Sequence, residues 1–167
     1  MQPLTPQNVQ AVIDRVAPGT QIVFFETTTG TSQQAADNIG CQLGQIVKSI
    51  CFLIELEDRR EPVIVLTSGD QKVDDRKIAE MYGVGRKKVK TGTADELIEI
   101  YGYAPGSVPP FGHRQPVTTY IDQTLSRWEM LYAAGGDHNA IFPITLDILI
   151  SATSGQVKDV VRAAGDQ

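Results

Sequence analysis

The stretch from Gln45 to Leu56 constrains the fold most, because Ile46, Ile50, Phe52, Ile54 and Leu56 recur in it at the alternating period of an extended strand. Lys48 shares their parity. Alternate residues of a strand point to one face, so the lysine is aimed where the apolar side chains are aimed. Removing an ammonium from water costs several kcal/mol, roughly, unless partners replace the water. Lys48 therefore either snorkels out at the rim of the core or lines a pocket that supplies anionic or carbonyl partners.

Around this strand the chain predicts strands and helices in a mixed order. Thr5-Pro6 fits an N-cap with proline at the first helical position, and Val9, Val12, Ile13 and Val16 follow at helical spacing as far as about Ala17. Gln21 to Phe25 predicts a short strand. Thr31 or Ser32 can cap a second helix ending near Gly40. Pro62 to Thr67 predicts a strand, Asp74 or Asp75 opens a helix closed by Gly83, and Thr93-Ala94-Asp95-Glu96 fits a capping box for a helix ending at Gly102. Val117–Ile121, Trp128–Ala134 and Ala140–Ile144 are further strand candidates; Thr145 caps a last helix and Val157–Val161 adds a terminal strand. Such an order suggests an α+β domain, mixed α/β in content, with a curved or barrel-like sheet. With 167 residues, one domain over 1–167 is expected.

Composition narrows the function classes. A chain 41% hydrophobic and 21% charged is an ordinary globular one, and no apolar run approaches the length of a bilayer span, so no membrane is expected and a cytosolic location follows. Cys41 and Cys51 lack the number for a disulfide framework and the spacing for a metal site. The net charge of −5 argues against general binding of long nucleic acid. That charge is uneven: nine cations against five acids between Arg59 and Lys90 leave +4 there and −9 elsewhere. The window is either a solvated helix and turn or a local patch for a phosphate backbone, with Arg86, Lys87 and Lys88 its densest run.

Two loops could carry chemistry. Between Gly106 and Gly112, Pro109 and Pro110 stiffen the chain while Gly106, Ser107, Phe111 and Gly112 keep N–H groups that a fixed loop can aim at a carbonyl or phosphate oxygen. The turn Gly135-Gly136-Asp137-His138-Asn139 is either a simple hairpin connection or a means of bringing Asp137 and His138 to a pocket mouth. No Ser-His-Asp or Cys-His signature is present, and Gly83-Val84-Gly85 lacks the context of a nucleotide-binding glycine loop.

Lys48-Ser49 after the small-residue run Ser32-Gln33-Gln34-Ala35-Ala36, then Gly106-x-x-x-Pro110 with Gly112, then Ile121-Asp122 and Ala134-Gly135-Gly136, resemble in order and spacing the YbaK and prolyl-tRNA synthetase-associated editing family. The resemblance covers roughly residues 20 to 162. It implies a mixed α/β domain with a barrel-like, mainly antiparallel sheet and surrounding helices. The implied activity is a trans-acting aminoacyl-tRNA deacylase that hydrolyses the ester of a mischarged tRNA, without metal or organic cofactor. Carried over by position, Lys48 matches the family's functional lysine and Gly106 with Pro110 its glycine-x-x-x-proline loop. Asp137 joins Lys48 and Gly106 as a catalytic candidate. Ser49, Ser107, Val108, Pro110, Phe111, Gly112, Gly135, Gly136 and His138 are candidates for holding the substrate, and Arg86, Lys87 and Lys88 for the tRNA backbone. The partners implied are mischarged tRNA and, as a further candidate, an aminoacyl-tRNA synthetase. A non-catalytic binding module of the same fold is the alternative, against which the presence of Lys48 counts.

Overall fold

The computed structural model describes residues 1–163. Helix α1 spans Pro6–Val16, with Thr5 at its N-cap and Asn8 Oδ1 accepting the Thr5 N–H at 2.9 Å, so the threonine–proline start acts as its sequence predicts. Strand β1 is Val23–Phe24, shorter than Gln21–Phe25, because only these two residues pair with a neighbouring strand. Helix α2, Ser32–Ile39, is capped by the Thr31 side chain and ends on left-handed Gly40. Strands β2, Ile46–Glu55, and β3, Arg60–Ser68, form a long antiparallel hairpin. Helix α3 is Asp75–Tyr82, and β4 is Val89–Thr91, a strand the sequence pattern did not predict.

Thr93 and Glu96 cap each other at the start of α4, Ala94–Glu96, which widens into a π-helical turn over Leu97–Tyr101. The remaining elements are β5 (Thr118–Asp122), β6 (Met130–Ala134), β7 (Ala140–Thr145), α5 (Leu146–Thr153) and β8 (Gln156–Lys158). The terminal strand thus lies earlier than Val157–Val161, since Asp122 accepts the Val160 N–H and ends the pairing there.

The sheet has the order β1-β7-β6-β2-β3-β5-β8, with β4 also on β2. It is more mixed than the expected mainly antiparallel sheet: β2–β6, β3–β5 and β5–β8 run parallel. Parallel neighbours need long crossovers, and α3 with α4 supplies the one between β3 and β5.

β2 is central, and its alternation separates two cores instead of core from solvent. Val47, Cys51 and Leu53 pack into the main core with α1 residues Val9 and Ile13 and with Ile64, Leu66 and Leu131. Phe52 and Ile54, with Ile50, pack on the other face against Val63, Val65 and Ile78 of α3. Ile46, on that same parity, belongs to a small cluster with Ala35, Ala36 and Ile141. Lys48 falls between the last two groups, where the apolar packing on its face is interrupted.

Candidate functional site

The interruption extends to the hydrogen-bonding edge of β2. One edge pairs with β3 from Val47 to Glu55. The other carries β6 only at Ile46 and Val47 and β4 only from Phe52 to Ile54. Between them, Lys48 to Cys51 faces no strand among the described residues. The Cys51 carbonyl points to this open edge, accepting the Gly92 N–H at 3.4 Å. Backbone groups two residues apart point the same way, so Ser49 presents its N–H and C=O to the gap.

The gap opens into a cleft of about 350 Å³. Lys48, Ser49 and Ile50 form one wall, Thr29–Ser32 with Ala35 a second, Gly106 and Val108 a third, and Ile46, Val47, Ala134 and Ile141 complete the lining. Lys48 is half-buried, and its Nζ donates to the Gln71 carbonyl oxygen. Burial pushes its pKa below the ordinary lysine value; the Asp70 carboxylate opposes that shift and the Lys72 ammonium adds to it. Asp70 is itself clasped by Arg127 through Nη2–Oδ1 at 2.7 Å and Nη1–Oδ2 at 3.1 Å, which holds its carboxyl below the usual range. Arg127 lies over the Trp128 ring at 4.2 Å. The turn that receives Lys48 is thus fixed from behind.

Of the loop residues singled out in the sequence, Gly106 and Val108 reach the cleft. Gly106 has φ +82°, and an added Cβ would lie 3.0 Å from the Gly30 carbonyl, so glycine is needed for both conformation and close approach of the two loops. The N–H groups of Gly106 and Val108 have no protein acceptor among the described residues. The other candidates sit behind the lining. Ser107 is buried and spends its N–H on the Ala104 carbonyl at 3.0 Å, so it is not the free donor the sequence suggested. Pro110 is buried, and the Phe111 ring packs on Phe142 at 5.5 Å in the main core. Gly112 faces α1 and gives its carbonyl to the Tyr103 hydroxyl at 2.8 Å.

The late glycine turn acts through its backbone. Gly135 and Gly136 are buried against Ile22 and Val9, where a Cβ would come within 2.9 Å of each. The His138 carbonyl accepts the Thr29 N–H at 2.6 Å and both the Thr28 and Thr29 hydroxyls, pinning the cleft's second wall. The Asp137 and His138 side chains are exposed, paired with each other at 2.7 Å, and lie outside the lining. Neighbouring backbone N–H donation from His138 holds the Asp137 carboxyl below its ordinary pKa.

Arg86, Lys87 and Lys88 form a 3₁₀ turn leading into β4. Val89 pairs with Ile54, six residues along β2 from Lys48, on the order of 20 Å away at the rise of a strand. Arg86 is bonded to Asp75 at 2.8 Å and Lys88 lies 3.7 Å from Glu55, while Lys87 has no acidic partner among the described residues.

Sequence reasoning missed the Thr29–Ser32 wall, Ile46, Val47, Ala134 and Ile141 as cleft residues. The small and hydroxyl-bearing run at the start of α2 was the available signal, since such residues let other backbone approach; the aliphatic ones look like any core position.

Comparison with known proteins gives the relatives of this fold. Residues 26–151 match the model of the aminoacyl-tRNA editing domain. The chain is 31% identical over 124 residues to the YwhH protein of Bacillus subtilis strain 168, covering 74% of this chain and 75% of that protein. It is 23% identical over 130 residues to a protein of Enterococcus faecalis named "Putative Cys-tRNA(Pro)/Cys-tRNA(Cys) deacylase EbsC", covering 78% and 76%. A crystal structure described as that of "a putative trans-editing enzyme for prolyl tRNA synthetase" superposes with a TM-score of 0.84 at 31% identity, over 95% of this chain and 97% of the other. No helix among the described residues is long and apolar enough to cross a membrane. A family model that matches most of the chain and the shared fold together place this protein in the aminoacyl-tRNA editing domain family.

Proposed function

We propose that the chain is a trans-acting deacylase that hydrolyses the ester joining a wrong amino acid to tRNA, working in the cytosol as a single domain. The observation that carries this reading is that one cleft is lined by Lys48, by the open edge at Ser49, and by Gly106 and Val108, whose N–H groups have no protein acceptor among the described residues. An ester carbonyl seated against Gly106 and Val108 would have its developing oxyanion met by fixed donors, the arrangement that most lowers a hydrolytic barrier. The Lys48 ammonium, already presented to a carbonyl oxygen, would hold a ribose or phosphate oxygen of the terminal nucleotide.

Water is the attacking group in this scheme: it adds to the ester carbon, the bond to the ribose oxygen breaks, and that oxygen leaves with a proton as the tRNA hydroxyl. A hydroxyl of the tRNA end would orient the water. The lining offers Ala35, Ala134, Ile46, Ile141 and Val108 to the amino-acid side chain, which favours a small one. A methylene more or less would change binding by about 1–3 kcal/mol. The names of the relatives point to the prolyl system, so wrongly charged tRNA for proline is the first substrate class to try, with the cognate synthetase as a candidate partner.

The test is release of amino acid from a panel of mischarged tRNAs by the protein and by its Lys48→Met variant. Turnover by the first and not the second is expected. Tight binding of aminoacyl-tRNA with no release by the unmodified protein would replace the deacylase with a binding module.

A further inference from the structure

A second depression, of about 360 Å³, lies away from the cleft and is lined by Asp74, Asp75, Arg76, Arg86 and Arg162. The three arginines come from three separate segments: the first turn of α3, the 3₁₀ turn before β4, and the chain after β8. Their convergence is built by the backbone. The Val160 carbonyl accepts the Asp74 N–H at 2.9 Å, Val73 and Val161 form a bridge, and the Lys72 carbonyl accepts the Arg162 N–H at 2.8 Å. The two acids in the depression are already engaged, Asp74 with the Arg76 N–H at 3.0 Å and Asp75 with Arg86 Nε at 2.8 Å. Arg76 and Arg162 have no carboxylate partner among the described residues. Planar guanidiniums gathered around a surface depression suit phosphate oxygens.

The depression is tied to the cleft by a short piece of chain. Gln71 receives Lys48, and Asp75 is four residues further on, at most about 14 Å at full extension. Exposed Lys72 lies between them, close enough to Lys48 to disfavour its charge. The cations Lys48, Lys72, Arg76 and Arg162 therefore run from the cleft to the depression, where Arg86 is paired with Asp75 and Asp74 is the one acid without a side-chain cation among the described residues, in a chain whose net charge is −5.

We propose that this line is a track for the phosphodiester backbone of the RNA whose aminoacylated end occupies the cleft, with Arg76 and Arg162 holding a phosphate beside the Arg86–Asp75 pair. The proposal rests on the deacylase reading for what sits in the cleft. It moves the anchoring cations from the Arg86–Lys88 run, two of whose members have acidic partners, to arginines 86 residues apart in sequence.

The double variant Arg76→Ala/Arg162→Ala tests it, beside Arg15→Ala/Arg59→Ala, which removes two exposed cations elsewhere. Binding of uncharged tRNA is measured against salt concentration, together with hydrolysis of charged tRNA and of a small aminoacyl ester, and thermal melting confirms that both variants fold. The track predicts at least a tenfold loss of tRNA affinity at fixed salt and a log–log salt slope shallower by about 1.5–2 for the first pair only, with small-ester hydrolysis unchanged. Equal losses in both double variants, an unchanged slope, or a parallel loss on the small ester would overturn it. Weakened tRNA binding in a protein that hydrolyses neither ester would uphold the track and sink the deacylase. Intact hydrolysis of charged tRNA by the first pair, with unchanged affinity, would do the reverse.

Discussion

The two halves of β2 have the same kind of sequence and opposite tasks. From Phe52 to Ile54 the strand is paired along its β3 edge and carries β4 on the other, both faces are buried, and the Tyr101 hydroxyl lies within hydrogen-bond distance of the Phe52 and Val63 carbonyls, at 2.7 and 2.9 Å. From Lys48 to Cys51 one edge is open, and at Lys48 a cation interrupts the apolar packing of its face, although Ile50 and Cys51 beyond it still pack in the two cores. A rigid half of a strand thus holds an unsatisfied half in register. Unpaired backbone groups and a half-buried ammonium are costly in a core, and the neighbouring ladder makes them tolerable.

The comparison breaks if the Lys48 half proves to be structural. Lys48→Met should reduce deacylation at least 100-fold, about 2.7 kcal/mol of transition-state stabilisation, while the melting temperature holds or rises. Its stability should also respond to pH. Burial places the folded-state pKa of Lys48 below the unfolded value near 10.5, so the folded chain binds the proton less tightly. The resulting destabilisation is fully present below the folded pKa and fades as pH rises from there towards 10.5. Denaturant melts of both proteins across that window should converge at high pH; a gap that widens instead would mean that the ammonium stabilises the fold.

In the other half, Ile54→Ala removes a fully buried side chain packed against Val63 and Ile78. It should cost about 2–4 kcal/mol in a denaturant melt, with the rate per folded molecule unchanged at a temperature where the variant is native. A rate loss as large as that of the Lys48 variant would mean that the halves are not separable.

Much of the rigid half was legible in the sequence and little of the open one. Caps at Thr5, Thr31, Thr93 and Thr145, and stops at Gly40, Gly83 and Gly102, are local chemistry and stand where the residues predict. β4 was invisible because Lys90 and Thr91 are exposed, and only the edge of β2 makes Val89–Thr91 a strand. The parallel pairings and the place where β6 stops short of Ser49 depend on contacts between residues 36 to 86 apart, which no local pattern encodes. Lys48 and Gly106, both in the cleft lining, stood out in the sequence because each breaks a local rule, a cation in an apolar parity and a glycine in a stiff loop. Thr29 and Ile141 break none.

A sharper test of the open half is Gly106→Ala. The added methyl would press on the Gly30 carbonyl and the residue would keep a positive φ, so the loop should shift away from the cleft. Deacylation should fall about tenfold, about 1.4 kcal/mol, with a smaller change in stability. An unchanged rate with a lowered midpoint would confine Gly106 to the turn and leave the carbonyl to Val108 and Ser49.

The smallest effect is expected at the Asp137–His138 pair, where sequence reasoning and geometry diverge most. Asp137 was a candidate acid or base and His138 a candidate ligand for the substrate, yet both side chains are at least half exposed and satisfy each other outside the cleft. What the site uses from this turn is the His138 carbonyl, which takes the Thr29 N–H and survives any side-chain change. Asp137→Asn and His138→Ala should therefore alter the rate by no more than about twofold, about 0.4 kcal/mol, and leave the acid limb of the pH–rate profile in place. Gly136→Ala is the contrasting variant. It alters the backbone at φ +99° and would press a methyl on Val9, so it should disturb the carbonyl's position and lower both stability and rate. A tenfold loss in either side-chain variant, without loss of stability, would mean that the turn closes over the substrate and brings Asp137 or His138 to the ester. The second wall of the cleft would then be a moving part, set apart from the rigid half of β2 in dynamics as well as in pairing.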